Sequence, residues 1–333
     1  MKKNILVVDD SALMRRAICD IINTSDEYEA IDTCSDGLAA YEKIKSRSYD
    51  AVLLDINMPK MNGLELLQKL QKENIRATVV VVSSLAKEDA KITIQAMEYG
   101  AIDFMTKPQN IIEAKGVQFR QQLIQLLNSV LPVAKKRNLS SSAAASAAAK
   151  AAAVVSGQLG RKIPHKQVSS GSNKLIALAC STGGPKALHS VIPFLDKNMD
   201  APMVLVQHMP TGFTRSMAER LNELSKVTVK EAVDNEILQK GCVYVAPGGY
   251  HLEVVPVKDG THKVHLSDAP PIGGLRPCAN VMYKSLKRSK YDQIVCVVLT
   301  GMGADGTEGI RELERSKPIY VISQDEPTCI VYG

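Results

Sequence analysis

Tryptophan is missing from this 333-residue chain, and aromatic residues make up only 4% of it. Few side chains are therefore available for nucleic-acid bases to stack on, and no nucleic-acid partner is expected. No uninterrupted apolar run approaches the ~18 residues of a membrane span. The N-terminal run behind Lys2 and Lys3 ends after four residues at Asp9-Asp10, too short for a signal peptide. Neither secretion nor membrane insertion is expected. The seven cysteines, Cys19, Cys34, Cys180, Cys242, Cys278, Cys296 and Cys329, form no C-x-x-C pair and mostly sit within apolar runs, where cysteine behaves as a small hydrophobe. A reducing, cytoplasmic setting is the matching expectation. Acidic residues are absent between Asn128 and Ser172, where Lys135, Lys136, Arg137, Lys150, Arg161, Lys162 and Lys166 stand. Those seven charges exceed the chain's net +6, so the remainder is net negative by one. The basicity belongs to a tether rather than to a binding face.

The length suffices for about two domains with cores of their own. From Asn4 to about Val130, short apolar runs alternate with amphipathic segments, the pattern of βα units and a parallel sheet. The predicted strands are Ile5 to Val8, Ala30 to Cys34, Ala51 to Leu54, Thr78 to Val82 and Ile102 to Met105. Polar residues follow them directly: Asp9 and Asp10, Asp55, Ser83, and Lys107 before Pro108. A parallel sheet gathers its strand C-termini on one edge, so these groups share a pocket. Carboxylates so close repel unless a cation relieves them, and Mg²⁺ suits an all-oxygen set. Asp55 could then attack a phosphoryl donor, with Lys107 and Ser83 holding the transferred oxygens. Asp9-Asp10, Asp55-Ile56-Asn57-Met58-Pro59-Lys60-Met61-Asn62-Gly63 and Lys107-Pro108 resemble the receiver domain of bacterial response regulators. The resemblance implies a flavodoxin-like fold and phosphorylation of Asp55 by a chemotaxis histidine kinase. It also implies Mg²⁺ at Asp9, Asp10 and Asp55, and Ser83, Phe104 and Lys107 as switch positions.

The stretch 131–172 is a low-complexity segment in which alanines could form only transient helix, and a flexible tether is expected. From Lys174 the βα pattern resumes. Leu175 to Ala179 leads to Ser181, Met203 to Val206 leads to His208, and Ile294 to Leu299 leads to a Gly-rich loop holding Asp305. Between the last two, Cys242 to Ala246, His251 to Val257 and Lys263 to Leu266 suggest a hairpin-rich insertion. The architecture expected here is doubly wound and mainly parallel, with a β-hairpin insertion.

A doubly wound sheet would bring Ser181, His208 and Asp305 to one edge. A hydroxyl needs a base to become a nucleophile, and an imidazole needs a carboxylate to hold its tautomer. Each residue also has a plainer role open to it: Ser181 as a helix cap, His208 as an ordinary loop residue, Asp305 as the cap of a helix near Gly306. Ala179 spoils the G-x-S-x-G elbow of the α/β-hydrolases. Gly301-x-Gly303-x-x-Gly306, with Asp325 beyond it, formally matches a dinucleotide fingerprint but leaves Ser181 and His208 without a role. Cys180, ending an apolar run, is expected to point into the core. His262 and His265 are three residues apart on a strand, hence on opposite faces, and are not expected to hold zinc.

Ser181-Thr182-Gly183-Gly184, Gln207-His208-Met209-Pro210-x-Gly212-Phe213-Thr214, Ala246-Pro247-Gly248 and Leu299-Thr300-Gly301-Met302-Gly303-x-Asp305-Gly306 resemble the catalytic domain of the chemotaxis protein-glutamate methylesterases. The resemblance implies Ser181 as nucleophile, His208 as base and then acid, Asp305 as its orienter, and backbone N–H groups near Thr182 and Met302 as the oxyanion hole. Methyl-accepting chemotaxis receptors would be the substrate, with deamidation of receptor glutamines as a second activity and no cofactor for the ester chemistry. A monomer is expected, with a receiver over 1–127, a linker over 128–172 and a catalytic domain over 173–333. A non-catalytic regulator with a partner-binding second domain is the alternative. Two departures stand out. Leu275-Arg276-Pro277-Cys278-Ala279-Asn280 replaces the family's H-R-P-S-V-D, and the chain stops at Cys329-Ile330-Val331-Tyr332-Gly333 where the family continues, which suggests truncation.

Overall fold

The computed structural model describes residues 2–131 and 173–329. The expectations for the tether over 132–172 and for the last four residues lie outside them. Five strands, β1 (Lys3–Val8), β2 (Tyr28–Cys34), β3 (Ala51–Asp55), β4 (Val79–Ser83) and β5 (Asp103–Thr106), pair in parallel in the order β2-β1-β3-β4-β5. That is the flavodoxin-like order. AVLLD in β3 and VVVVS in β4 are buried at every position, as central strands covered on both faces must be.

The helices of this half are α1 (Ala12–Asn23), α2 (Gly37–Ser46), α3 (Gly63–Lys72), α4 (Lys87–Glu98), α5 (Ile111–Ala114) and α6 (Val117–Val130). Ser11 and Asp36 cap α1 and α2 through their side chains, and Asn62 with Glu65 forms a capping box on α3, satisfying N–H groups that a helix start leaves orphaned. Helix α6 continues past residue 127, the expected end of the receiver, to Val130, and Tyr28 Oη donates to Asn128 Oδ1 at 2.5 Å. Phe119, Leu123, Leu127 and Val130 keep a helical spacing of three to four residues and are all buried, so the apolar stripe outlasts the change in composition.

The second sheet holds β6 (Lys174–Cys180), β7 (Met203–Gln207), β8 (Thr228–Glu231), β9 (Cys242–Val245), β12 (Gln293–Val298) and β13 (Ile319–Ser323). Its order is β13-β12-β6-β7-β9-β8, every pair parallel. A separate antiparallel hairpin joins β10 (His251–Pro256) and β11 (His262–Ser267). The segment from Cys242, expected in that insertion, belongs instead to the main sheet as β9. All four of its residues are buried, and Val243 pairs with both Met203 and Val229. Strands β8 and β13, which lie at the two edges of the sheet, are not among the expected strands: TVKE of β8 holds a single apolar residue, while IYVIS of β13 is an apolar run that no expected strand covers. Helices α7 (Gly184–Val191), α8 (Phe213–Leu224), α9 (Ala279–Ser285) and α10 (Thr307–Glu314) complete the half.

Residues on both sheets fall within one compact unit. Ala90 and Ile94 of α4 share a buried cluster with Leu188, Phe213, Met217 and Leu221 from α7 and α8. Phe104 of β5 stacks on Phe213 with ring centroids 4.5 Å apart. At the rim, Glu98 at the end of α4 takes two hydrogen bonds from the Arg220 guanidinium of α8, at 2.6 and 2.9 Å.

Candidate active sites: an acidic phosphoacceptor pocket and a serine triad

At the C-terminal edge of the first sheet, Asp9 follows β1, Asp55 ends β3, Ser83 ends β4 and Lys107 follows β5. Lys107 Nζ lies 2.7 Å from Asp9 and 2.7 Å from Asp55. Burial raises the Asp55 carboxyl to about 6; the Lys107 ammonium opposes that and the Asp9 carboxylate adds to it. Oxygen atoms of Asp9, Asp10 and Asp55 lie within 4.8 Å of one another. Three hard carboxylate ligands so close, two of them buried, fit a divalent cation with oxygen preference. Gly63 is required by this pocket, because a Cβ there would stand 2.3 Å from the Asp55 carbonyl oxygen. The Ser83 hydroxyl accepts from Thr93 Oγ1 of α4 at 2.8 Å. Phe104, by contrast, lies at the contact with α8 rather than at the acidic pocket itself.

On the edge of the second sheet, β6, β7 and β12 deliver the three expected residues. His208 Nδ1 lies 3.1 Å from Ser181 Oγ and His208 Nε2 lies 2.8 Å from Asp305 Oδ2. The ring presents its nitrogens in the reverse sense to the serine proteases, but the relay from hydroxyl to imidazole to carboxylate is the same. Asp305 does not cap α10, whose N-cap is Gly306. Its carboxylate accepts from the Ala279 N–H at 2.6 Å, the Asn280 N–H at 2.9 Å and the Cys278 thiol at 3.1 Å. Burial alone would raise this acid. The hydrogen bonds from His208, Cys278, Asn280 and Ala279 outweigh burial and hold it well below the usual carboxylate range.

The loop that resembled a dinucleotide fingerprint has local reasons for its glycines. A Cβ on Gly301 would lie 3.0 Å from Ser181 Cβ, and Gly303 and Gly306 have φ of 102° and 97°, a region costly for other residues. Thr182 and Met302 flank Ser181 on this edge, and among the described residues neither of their backbone N–H groups donates to another protein group. Cys180 is buried with its thiol pushed far up by burial, and donates to Gln207 Oε1 at 3.0 Å; it is a core residue as expected. His262 is buried, stacks on Tyr291 and is lowered to about 4 by burial and then by Lys317 and Lys290, while His265 is exposed beside Asp234. The pair does face opposite ways.

A cavity of about 280 Å³ adjoins the triad, with Ser181, His208 and Met302 on one wall and Asp103, Thr106 and Gln122 of the first half on the other. The Asp103 carboxylate accepts from the Phe104 N–H at 2.8 Å and lies on the cavity wall with Thr182. No site role was expected of Asp103, Gln207 or Cys278, although the last two stand in the segments Gln207-His208-Met209-Pro210 and Leu275-Arg276-Pro277-Cys278-Ala279-Asn280. Their partners come from other loops, and only Gln207 carried a usable signal, a polar residue ending a wholly apolar strand.

Residues 5–115 match the response regulator receiver domain model and residues 176–333 match the CheB methylesterase model. A protein-glutamate methylesterase/protein-glutamine glutaminase of Syntrophomonas wolfei is 40% identical over 100% of this chain and 92% of its own length. The chain belongs to this methylesterase family. The Bacillus subtilis protein of the same description is 37% identical, over 99% of this chain and 90% of its own. Among solved structures, the CheB methylesterase catalytic domain of Thermotoga maritima is 41% identical, over 49% of this chain and 85% of that one, with a TM-score of 0.46. A receiver domain implies Mg²⁺-dependent phosphorylation, and the donor set of Asp9, Asp10 and Asp55 fits that ion.

Proposed function

We propose that the chain is a phosphorylation-gated hydrolase that removes methyl groups from glutamate γ-methyl esters of chemotaxis receptors and, at the same centre, deamidates receptor glutamines. The observation that carries the chemistry is the alignment of Ser181 Oγ, His208 and Asp305 through contacts of 3.1 and 2.8 Å. His208 takes the Ser181 proton as Oγ bonds to the ester carbonyl carbon, and Asp305 stabilises the imidazolium. The carbonyl oxygen becomes an oxyanion received by the Thr182 and Met302 N–H groups. As the C–O bond to the methoxy group breaks, His208 returns the proton and methanol leaves. A water then attacks the acyl-serine by the same relay, freeing glutamate and Ser181. For glutamine, ammonia is the leaving group. The ester chemistry is assigned wholly to these side chains and backbone groups, and a partner-binding role alone leaves their alignment without a purpose.

Asp55 is the phosphoacceptor, supplied by a histidine kinase. Mg²⁺, when bound at Asp9, Asp10 and Asp55, supplies the positive charge that offsets the incoming phosphoryl oxygens. Lys107 and Ser83 hold those oxygens on the protein side. In the resting arrangement Asp103 and Thr106 wall the cavity over Ser181, with Phe104 on Phe213 and Glu98 on Arg220, so the receptor is excluded; phosphorylation shifts the population toward an open arrangement. Residues through Val130 form the receiver, a basic segment joins it to the catalytic half from Asn173, and the chain acts as a cytoplasmic monomer without nucleic acid. The test is methanol release from methylated receptor by the chain, by Ser181→Ala and by Asp55→Asn, each with and without a small-molecule phosphodonor and Mg²⁺. Ser181→Ala is expected to lose at least about 10³-fold, and Asp55→Asn to retain basal release but lose the gain. Release that survives Ser181→Ala refutes the assignment.

A further inference from the structure

Gln207 is the last residue of β7, directly before His208, and is only 2% exposed. Its carboxamide is almost fully used. Nε2 donates to the carbonyl oxygens of Ser181 at 3.0 Å and His208 at 3.2 Å, and Oε1 accepts from the Cys180 thiol at 3.0 Å. The Ser181 and His208 carbonyl oxygens can only accept, which fixes the nitrogen as the end of the amide that faces them and leaves Oε1 to take the Cys180 thiol. A Cβ on Gly184 would lie 2.0 Å from Gln207 Oε1, so the start of α7 is shaped around this side chain. The Gly184 N–H also donates to the Ser181 carbonyl, at 2.7 Å.

The Ser181 carbonyl belongs to the same planar peptide unit as the Thr182 N–H, and in a trans peptide the two point in opposite directions. Fixing one therefore aims the other. A hydrogen bond accepted by a carbonyl also polarises its peptide and strengthens the N–H as a donor. We propose that Gln207 is a positioning residue for the oxyanion hole: it clamps the Ser181–Thr182 peptide so that the Thr182 N–H faces the oxygen that becomes negative during acyl transfer. Its second bond, to the His208 carbonyl, ties the base to the same clamp, so nucleophile, base and oxyanion donor share one reference point.

The proposal rests on the hydrolase assignment above, and the experiment separates the two. Methanol release is measured per active site, counted by end-point titration with a serine-reactive phosphonate, so that loss of folded protein does not enter the rate. Affinity for a trifluoromethyl ketone analogue of the glutamate ester, which forms a tetrahedral oxyanion on Ser181, is measured alongside. Gln207→Met fills the space without donating. It is expected to lower kcat per site by about 10- to 100-fold, short of or equal to deletion of an oxyanion donor, to leave KM within about twofold, and to weaken the ketone by the factor lost in kcat. A merely structural role instead lowers the count of titratable sites and leaves the rate and ketone affinity of each site unchanged, which overturns the proposal. If Gln207→Met yields no titratable sites, Cys180→Ala, which removes the hydrogen bond accepted by Oε1 and so loosens the carboxamide, carries the test. A parallel loss of kcat and ketone affinity of about threefold supports the clamp, and values within experimental error of wild type overturn it. Activity that persists in Ser181→Ala defeats the hydrolase assignment itself; Ser181-dependent activity indifferent to Gln207 defeats only the clamp.

Discussion

Asp305 shows what individual residues contribute beyond their type. Four donors converge on its carboxylate, one from His208, one from the Cys278 thiol and two from backbone N–H groups at the start of α9. Cys278 stands in the segment that departs from the family pattern, yet it supplies a hydrogen bond to the carboxylate that meets His208. Cys278→Ala removes that donor and is expected to lower kcat about fivefold, the equivalent of about 1 kcal/mol for one modest hydrogen bond; Cys278→Ser retains a donor and should stay within about twofold of wild type. Steady-state methanol release decides between them. Gly63 makes the corresponding point in the receiver, since a side chain there meets the Asp55 backbone at 2.3 Å. Gly63→Ala is expected to destabilise the receiver by about 1–3 kcal/mol through backbone displacement, read as a lowered midpoint in urea. Residue types at strand ends were legible because the chemistry selects them. The thiol on Asp305 was not, because its partner lies 27 positions away and no spacing rule connects them.

Among elements, the proposed gating falls to β5, α4 and α8, which meet at the contact between the halves. Strand β5 bears Asp103 and Phe104, which face the catalytic half, only a few residues before Lys107, which faces Asp55. Burial raises the Asp103 carboxyl to about 7, against which the hydrogen bond from the Phe104 N–H and the neighbouring polar groups of Thr182 and Gly183 only partly act. When the two halves part and water reaches it, the acid returns to the ordinary range near 4. The closed arrangement thus holds an extra proton between about pH 4 and 7 and loses stability as pH rises through that window. Basal release by wild type relative to Asp103→Asn, a ratio that cancels other titrations, is expected to climb about tenfold between about pH 6 and 8. A flat ratio counts against an Asp103 latch. The pair between Glu98 and Arg220 is partly buried, with side chains 20% and 29% exposed, so solvent screens it only in part. Arg220→Ala is expected to raise basal, unphosphorylated release by about fivefold while leaving the phosphodonor-stimulated maximum unchanged, corresponding to about 1 kcal/mol of lost closure.

At the scale of the molecule, one chain holds two parallel sheets whose C-terminal edges bear separate chemistries. The shared cluster of Ala90, Ile94, Phe213 and Met217 opposes separation, so the proposed opening has to offset apolar burial as well as the contacts of Glu98 with Arg220 and His189 and of Lys91 with Glu219. Beryllofluoride with Mg²⁺, a stable mimic of the phosphoryl group, is therefore expected to speed amide hydrogen exchange in both α4 and α8 and to leave β6 and β7 protected. Exchange that rises in neither helix contradicts gating by separation. Exchange that rises throughout the catalytic half indicates unfolding instead of opening.

Sequence by itself determined the two α/β halves and which polar residues stand at or just beyond the ends of their strands, Asp9, Asp55, Ser181, His208 and Asp305 among them. Apolar runs ending in polar residues dictate parallel strands, and parallel strands dictate that their ends converge. Tertiary structure alone decided that β9 joins the main sheet, that α6 extends through Val130, and that Gln207, Cys278 and Asp103 meet the catalytic groups. Those outcomes depend on contacts between segments far apart in the chain, where packing and hydrogen-bond satisfaction choose the partner and local pattern is silent.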